Sequence, residues 1–250
     1  MNKKSSTVKN IIVLHGWGLV GARYKSLAEI LSSAGFKVYA PDLPGFGNNK
    51  NVKGDLTLPD YASYLKDFIE KNKITSVVLL GHSFGGRVII CFLDKYKDLI
   101  KKSNIKAIVL TGSPLTRSKL SLRKKIGIFI SKTGKGLVES IPVVDPNNDF
   151  FRKLVYKIIG EWDYYKAGQL KKTFVNIINY DLEDKLSEIN LPTLIIWGEN
   201  DRIVSYSDAL KLNKLVTGSK LVGVKNATHK LPYEQPEIFA SEVISFLNSL

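Results

Sequence analysis

Cysteine, histidine and long apolar runs are all scarce in this 250-residue chain. The single cysteine, Cys91, excludes an intrachain disulfide and fits a reducing compartment. Three scattered histidines and one cysteine form no cluster with metal-ligand spacing, so we expect no metal site. No apolar run approaches the roughly 20 residues of a membrane-spanning helix, and the run at residues 11–14 is too short for a signal peptide. These absences predict a soluble cytoplasmic protein.

Acidic residues are also outnumbered, with 23 Asp and Glu against 37 Lys and Arg and a net charge of +14. Such an excess suggests an acidic partner, or it serves solubility. It is densest between Pro114 and Val138, where no acid occurs. The basic residues there are Arg117, Lys119, Arg123, Lys124, Lys125, Lys132 and Lys135. We expect either a solvated face or a docking surface for an acidic carrier protein, and no nucleic-acid partner, because no nucleic-acid-binding motif accompanies the lysines.

Short apolar runs alternate with longer amphipathic stretches along most of the chain. The apolar runs predict six buried strands, at residues 11–14, 37–40, 77–80, 107–110, 193–197 and 220–224. Apolar residues at helical spacing predict helices at about 22–34, 58–72, 85–97, 205–216 and 236–249. This alternation is typical of an α/β protein with a mostly parallel, doubly wound sheet.

One interval interrupts the alternation. Between residues 114 and 191 no buried strand is predicted, and the pattern is that of several helices punctuated by glycine and proline. We therefore expect a core domain made of residues 1–113 and 192–250, with residues 114–191 inserted as a helical cap.

The motif richest in chemistry is Gly81-His82-Ser83-Phe84-Gly85, which follows a predicted buried strand and precedes a predicted helix. This is the setting of a G-x-S-x-G nucleophile elbow, in which a tight turn exposes the serine hydroxyl above the sheet. The backbone N–H of Phe84 would then point at an oxyanion formed beside Ser83. A glycine-rich strand-to-helix turn without chemistry is the alternative interpretation.

A serine hydroxyl needs a general base to become a nucleophile. His82 lies inside the elbow, where its side chain should point away from the serine, and His15 ends the first predicted strand. His229 follows the last predicted strand, at the sheet edge where parallel strands place a site. By elimination His229 is the candidate base, and a surface histidine without a role is the alternative.

The base in turn needs a carboxylate that holds its tautomer. Asp201 follows the strand at 193–197 and gives the chain order serine, aspartate, histidine that elbow enzymes use. Glu199 is a nearby rival. The turn after the strand at 107–110 is the other possible location, but no acid occurs there before Glu139. The sequence therefore favours Asp201.

A second oxyanion donor is expected from the loop after the first strand, which reads His15-Gly16-Trp17-Gly18. We assign it to the backbone N–H of Trp17, because the flanking glycines let the main chain approach a substrate. The indole of Trp17 would either line the substrate pocket or belong to the core.

The same loop also fits G-x-G-x-x-G over residues 16–21, with Asp42 near the place of a ribose-binding acid. A dinucleotide site is thus a competing interpretation. A tryptophan between the first two glycines would crowd a pyrophosphate, and no tyrosine is followed four residues later by a lysine. A dinucleotide site would also leave Ser83, Asp201 and His229 unexplained.

Together these motifs resemble the α/β-hydrolase superfamily over nearly the whole chain. The resemblance includes the His-Gly-Trp-Gly loop, residues 42–47, the Gly-His-Ser-Phe-Gly-Gly elbow and the turn at 197–201. It is of the kind shown by small bacterial hydrolases with a helical cap, and it implies Ser83 as nucleophile, His229 as base and Asp201 as orienting acid. A serine where haloalkane dehalogenases carry aspartate disfavours halide displacement.

We therefore expect a serine hydrolase that transfers the acyl group of a small or medium carboxylic ester to water, without a cofactor. Trp17, Phe84, Phe129 and Trp162 are the candidate substrate-binding residues. A C–C bond hydrolase of ring-cleavage products would use the same triad. Some capped members of the superfamily resemble this chain and act on methyl esters carried by acyl carrier protein. A ligand-binding protein whose triad barely turns over is the non-enzymatic alternative.

Overall fold

A computed structural model of the chain describes residues 9–52, 54–115 and 170–250. Within these ranges six strands form one parallel sheet. The strands are β1 (Asn10–Leu14), β2 (Lys37–Tyr39), β3 (Val77–His82), β4 (Ile105–Thr111), β5 (Thr193–Gly198) and β6 (Lys220–Val224). They lie in the order β2-β1-β3-β4-β5-β6. All six predicted strands are confirmed, with ends that differ from the prediction by at most about two residues.

Helices cover both faces of this sheet. They are α1 (Lys25–Ser33), α2 (Leu58–Lys71), α3 (Phe84–Lys95), α4 (Lys97–Lys102), α5 (Lys171–Asn179), α6 (Glu183–Leu186), α7 (Tyr206–Leu215), α8 (Leu231–Glu234) and α9 (Pro236–Asn248). Helices α1 and α9 pack on one face, and α2 and α3 pack on the other. The cover on both faces follows from strands that are apolar on both sides. In the described part of the chain, no helix combines the length and the apolar character that crossing a membrane requires.

The helix predicted at 85–97 is α3, and a short helix that the sequence did not predict, α4, follows it after a break at one residue. Helix α3 ends at Lys95 and α4 begins at Lys97, because Tyr96 between them leaves the helical region with φ −123° and ψ 50°. The Tyr96 hydroxyl forms a hydrogen bond with Ser63 Oγ at 2.6 Å, and the Tyr96 ring contacts Phe92. Apolar spacing continues across this break, so periodicity alone does not reveal it.

The strand order creates a crevice at one edge of the sheet. The chain passes from β1 to β2 on one side, whereas β3 to β6 extend the sheet on the other side. Loops leaving β1 and β3 therefore diverge, and ligands of open α/β sheets bind at such a switch point. Trp17 follows β1 and Ser83 follows β3, so the topology alone brings these two candidates to one place.

The described part of the predicted cap is limited to its two ends, residues 114–115 and 170–191. The second end contains α5 and α6. Phe129, Trp162 and the basic segment at 117–135 lie outside the described residues. The division into core and cap stays a prediction.

Arg87 on α3 joins both of these ends to the core. It is 7% exposed, and its guanidinium donates hydrogen bonds to the carbonyl oxygens of Pro114, Ile177 and Tyr180. Burial lowers the pKa of Arg87 to about 10, while Asp181 acts in the opposite direction. The Nε of Arg87 has no hydrogen-bond partner among the described residues. One buried cation is thus hydrogen-bonded to both described ends of the predicted cap.

We expect Arg87→Met to lower the free energy of unfolding by about 2–4 kcal/mol, because three carbonyl oxygens lose their hydrogen-bond donor. This loss outweighs the gain from no longer burying a charge. Urea unfolding followed by circular dichroism measures this loss. Arg202→Met, at an exposed position, is the control and should change the value by less than about 0.5 kcal/mol. An Arg87→Met effect as small as that of the control would show that these hydrogen bonds add no net stability.

Candidate active site

Ser83 occupies a tight turn between β3 and α3. Its backbone has φ 53° and ψ −113°, a left-handed conformation that residues other than glycine rarely adopt. The turn needs small neighbours, because a Cβ at Gly81 would lie 2.6 Å from the backbone of Gly86, and one at Gly85 would overlap the carbonyl oxygen of Leu14. The structure therefore places the serine in a strained strand-to-helix turn at the switch point.

The residue after this serine and the loop after β1 carry the two predicted oxyanion donors. Phe84 is the first residue of α3, so its N–H is among those at a helix start that lack an intrahelical acceptor. The loop that carries Trp17 approaches the serine at Gly16, where a Cβ would lie 3.4 Å from the Ser83 Cβ. Among the described residues, no hydrogen-bond acceptor contacts the N–H of Trp17 or Phe84. Both predicted oxyanion donors thus have a free N–H within that part of the chain.

His229 and Asp201 form a hydrogen-bonded pair. His229 Nδ1 lies 2.7 Å from Asp201 Oδ2, and the two side chains are 11% and 1% exposed. The other carboxylate oxygen, Asp201 Oδ1, accepts the backbone N–H groups of Ile203 at 2.8 Å and Val204 at 2.9 Å. The carboxylate is held on both sides and can only accept, so His229 donates through Nδ1–H. The Nε2 of His229 is then left to accept a proton.

The turn after β4 brings this pair to the serine. The backbone N–H of Ser83 donates to the carbonyl of Thr111 at 2.8 Å. The next residue, Gly112, has φ +56°, and a Cβ there would lie 2.8 Å from His229 Cε1 and 2.9 Å from His229 Nδ1. Ser83 and His229 therefore flank the same turn. A side chain at position 112 would collide with the imidazole, so this second location suits no acid.

Glu199, the rival carboxylate of the sequence analysis, stands apart from His229. Its side chain is exposed, and in the described part of the chain the only carboxylate bonded to His229 is that of Asp201. The structure therefore brings Asp201 and His229 together and leaves Glu199 outside the pair.

Gly112→Ala should lower kcat/KM about 10- to 100-fold, because the added methyl displaces the His229 ring and small misplacements of a catalytic group are costly. Steady-state hydrolysis of a p-nitrophenyl ester measures the change. Gly218→Ala is the matched control, since Gly218 also has a positive φ, +74°, but a Cβ there meets nothing within 4 Å. Equal rates for the two variants would show that His229 does not depend on the space above Gly112.

Both ring nitrogens of His15 have hydrogen-bond partners in its own loop and the loop after β2. It is buried, its Nδ1 lies 2.9 Å from the carbonyl of Gly16, and its Nε2 lies 2.9 Å from the backbone nitrogen of Leu43. A carbonyl only accepts and a backbone N–H only donates, so Nδ1 carries the proton. Burial lowers the pKa of His15. His15 is thus a neutral ring with no nitrogen available for catalysis.

Both ring nitrogens of His82 also have hydrogen-bond partners. Its Nε2 lies 2.9 Å from the carbonyl oxygen of His229, and its Nδ1 lies 2.6 Å from the hydroxyl of Tyr24. Burial lowers the pKa of His82 to about 3. The His82 ring packs on His229, with ring centroids 4.8 Å apart, a contact that the sequence does not predict. Of the three histidines, only His229 has a ring nitrogen without a partner among the described residues.

An aromatic cluster borders the serine turn. The half-buried Trp17 ring contacts Phe46 at 4.9 Å, Phe84 at 5.4 Å and Phe174 at 5.1 Å between centroids. The Phe84 side chain is only 3% exposed and packs on Tyr61, so it belongs to the core more than to an open pocket. Phe174 on α5 was not predicted from the sequence, because its helical spacing marks it only as one apolar position among several.

The glycine pattern at residues 16–21 has a packing explanation. The Asp42 carboxylate accepts the backbone N–H groups of Gly21 at 2.7 Å and Asn48 at 2.9 Å, so it has a structural role in these loops. A Cβ at Gly21 would overlap the carbonyl oxygen of Ala40. These contacts remove the basis of the dinucleotide interpretation. Among the described residues, no group of three or more His, Cys, Asp or Glu is arranged to hold a metal ion.

A parallel sheet with a serine turn at its switch point, faced by a histidine–aspartate pair, places this protein in the α/β-hydrolase class. A family model described as "Serine aminopeptidase, S33" matches residues 5–236, and the chain belongs to that family. The resemblance inferred from the sequence motifs and the predicted fold class are both confirmed.

Relatives within this class cleave different bonds. The chain is 23% identical to the monoacylglycerol lipase ABHD6 of Mus musculus, over 96% of the chain and 76% of that protein. It is 26% identical to the 2-hydroxy-6-oxononadienedioate/2-hydroxy-6-oxononatrienedioate hydrolase of Klebsiella pneumoniae, over 96% of the chain and 87% of that protein. The structure of an esterase from Thermogutta terrifontis superposes with a TM-score of 0.71 at 22% identity, covering 98% of this chain and 91% of the other. A hydrolase is thereby established, and the bond that it cleaves is not.

Proposed function

We propose that the protein hydrolyses carboxylic esters, with Ser83 as nucleophile, His229 as general base and Asp201 as the acid that orients His229. The observation that carries the proposal is the 2.7 Å hydrogen bond that His229 Nδ1–H donates to Asp201. It fixes the proton on Nδ1 and leaves Nε2 as the acceptor, and His229 shares the turn at Gly112 with Ser83. A serine becomes a nucleophile when a base so oriented takes its proton.

The reaction proceeds in two acyl-transfer steps. His229 Nε2 takes the Ser83 proton as Oγ attacks the ester carbonyl, and the N–H groups of Trp17 and Phe84 bind the resulting oxyanion. The imidazolium, stabilised by Asp201, gives its proton to the leaving alkoxide as the C–O bond breaks. Water then attacks the acyl-serine with His229 as base again, and the carboxylic acid leaves while Ser83 regains its proton.

The surroundings of Ser83 favour an ester with an apolar acyl group. The half-buried Trp17 and Phe174 present aromatic surface beside the turn, and the buried Phe46 ring packs on Trp17. Arg87, the buried cation one helical turn beyond the serine, already donates to three backbone carbonyls and is not available to a carboxylate. A ring-cleavage product that carries carboxylates would need a cation to pair with them, and among the described residues named here none provides one. The C–C hydrolase relative keeps that reaction as the second candidate.

A substrate panel tests the proposal. We expect turnover of p-nitrophenyl esters between acetate and octanoate to exceed turnover of a vinylogous dienone ring-cleavage product and of an aminoacyl p-nitroanilide, with Ser83→Ala giving the background. Dienone hydrolysis with negligible ester hydrolysis would replace the proposal by C–C bond cleavage. Anilide hydrolysis alone would make the protein a peptidase. Saturable ligand binding without any turnover would make it a binding protein.

A further inference from the structure

A chain of buried hydrogen bonds links the loop after β1 to the loop after β6. The Gly16 nitrogen lies 3.2 Å from the Tyr24 hydroxyl, which lies 2.6 Å from His82 Nδ1. His82 Nε2 lies 2.9 Å from the carbonyl oxygen of His229. The Tyr24 and His82 side chains are buried. This hydrogen-bond network therefore joins the loop of one predicted oxyanion donor to the loop of the predicted base.

The hydrogen bonds of this network all run in one direction, from donor to acceptor. The carbonyl of His229 only accepts, so His82 Nε2 carries the proton and donates it. Burial keeps His82 neutral by lowering its pKa to about 3, which leaves Nδ1 to accept from the Tyr24 hydroxyl. The Tyr24 oxygen then accepts the N–H of Gly16, which can only donate. The Tyr24 hydroxyl and the His82 ring each accept one hydrogen bond and donate another, so loss of either side chain leaves a buried polar group unpaired.

Close packing adds to these bonds. The His82 ring lies against the His229 ring at 4.8 Å and against Tyr233 at 5.9 Å between centroids. A Cβ at Gly16 would come within 3.1 Å of His82 Nδ1. The position of the His82 ring thus determines where both the Gly16 backbone and the His229 backbone can lie.

We propose that His82 and Tyr24 are positioning residues that fix the His229 loop and the Gly16-Trp17 loop relative to each other. The inference rests on the proposed function, because it assigns these two residues to the same hydrolytic site. Neither side chain takes part in proton transfer to the substrate. Their loss should therefore lower kcat, through misplacement of the base and of the oxyanion donor, and should leave KM nearly unchanged.

Two substitutions at position 82 separate this role from simple packing. In His82→Gln the side-chain amide lies where Nε2 was and can still donate to the His229 carbonyl. In His82→Asn the amide reaches only the position of Nδ1, so that bond is lost. We expect His82→Asn to lower kcat for p-nitrophenyl acetate about 10- to 100-fold with KM within about threefold, and His82→Gln to restore most of the rate.

Tyr24→Phe tests the other half of the chain. It removes the hydroxyl that serves both Gly16 and His82 and should lower kcat about 10-fold or more. Combined with His82→Asn, its effect should be smaller than the product of the two single effects, because both act on one network. Tyr64→Phe is the control, since the Tyr64 hydroxyl is also hydrogen-bonded but donates to the backbone carbonyl of Asp42, outside this network. Its kcat should equal that of the wild type.

The outcomes separate this inference from the proposed function. A wild-type protein that neither hydrolyses esters nor reacts with a fluorophosphonate would end the proposed function. An active wild type with His82→Asn and Tyr24→Phe variants of unchanged kcat would overturn the inference alone. Urea unfolding of each variant gives the folded fraction, and a loss of stability with normal kcat per folded molecule would show that the network is only structural. If one variant fails to fold, the other decides by the same criterion.

Discussion

Replacing Ser83 by alanine is expected to lower kcat/KM for p-nitrophenyl butyrate by about 10⁵- to 10⁶-fold, as loss of a serine nucleophile does when His and Asp can act only through it. In this structure His229 faces the turn of Ser83, so its Nε2 would have no hydroxyl to deprotonate. Stopped-assay measurements at high enzyme concentration give the residual rate. The free energy of unfolding should stay within about 1 kcal/mol of the wild-type value, because only one hydroxyl is removed.

Ser219→Ala is the matched control for that variant. Ser219 precedes β6, at the amino ends of the strands, whereas the proposed site lies at their carboxyl ends. Its hydroxyl forms hydrogen bonds with Asn213. Its ester turnover should equal that of the wild type. Residual activity of Ser83→Ala above about one part in a hundred would contradict a serine nucleophile, since triad losses are far larger.

Asp201→Asn is expected to lower kcat by about 10⁴-fold through the tautomer of His229. The asparagine oxygen would stay on the N–H groups of Ile203 and Val204, because both are donors that the buried side chain must satisfy. The amide NH₂ would then face His229 Nδ1. A donor at this position forces the proton of His229 onto Nε2, and the ring can no longer accept a proton from Ser83.

Glu199→Gln is the control for Asp201→Asn, because it removes the neighbouring carboxylate of the same turn. We expect the kcat of Glu199→Gln to match the wild type. The pH dependence of kcat adds a second readout, since Asp201→Asn changes the tautomer and the charge beside His229, whereas Glu199→Gln changes neither directly. A loss of only a few-fold in Asp201→Asn would show that some other group orients His229.

Much of the fold could be predicted from the sequence because the strands are continuous apolar runs. A strand covered on both faces carries no alternation to misread, so residues 11–14 and 193–197 were recognisable. Ser83 was recognisable for a local reason: a tight turn demands small residues at fixed spacing. Asp201 and His229 followed from position, because each comes after a strand that ends at the same edge of the sheet.

Contacts between distant loops were not predictable in the same way. The packing of His82 on His229 depends on a loop returning from β6 across two intervening strands, and no local pattern encodes that return. The role of Gly112 was also invisible, because it consists of the absence of a side chain beneath an imidazole. The bond that is cleaved depends on groups around the acyl chain, drawn from segments far apart in sequence.

The central claim is that His229 activates Ser83 as a nucleophile, and covalent labelling tests it most directly. The purified protein is treated with a fluorophosphonate, digested with trypsin, and the modified residue is located by tandem mass spectrometry. We expect one adduct, on Ser83 in the peptide that ends at Arg87, formed rapidly in the wild type and abolished in Ser83→Ala. An adduct on another residue, or ester turnover without any adduct on Ser83, would contradict it.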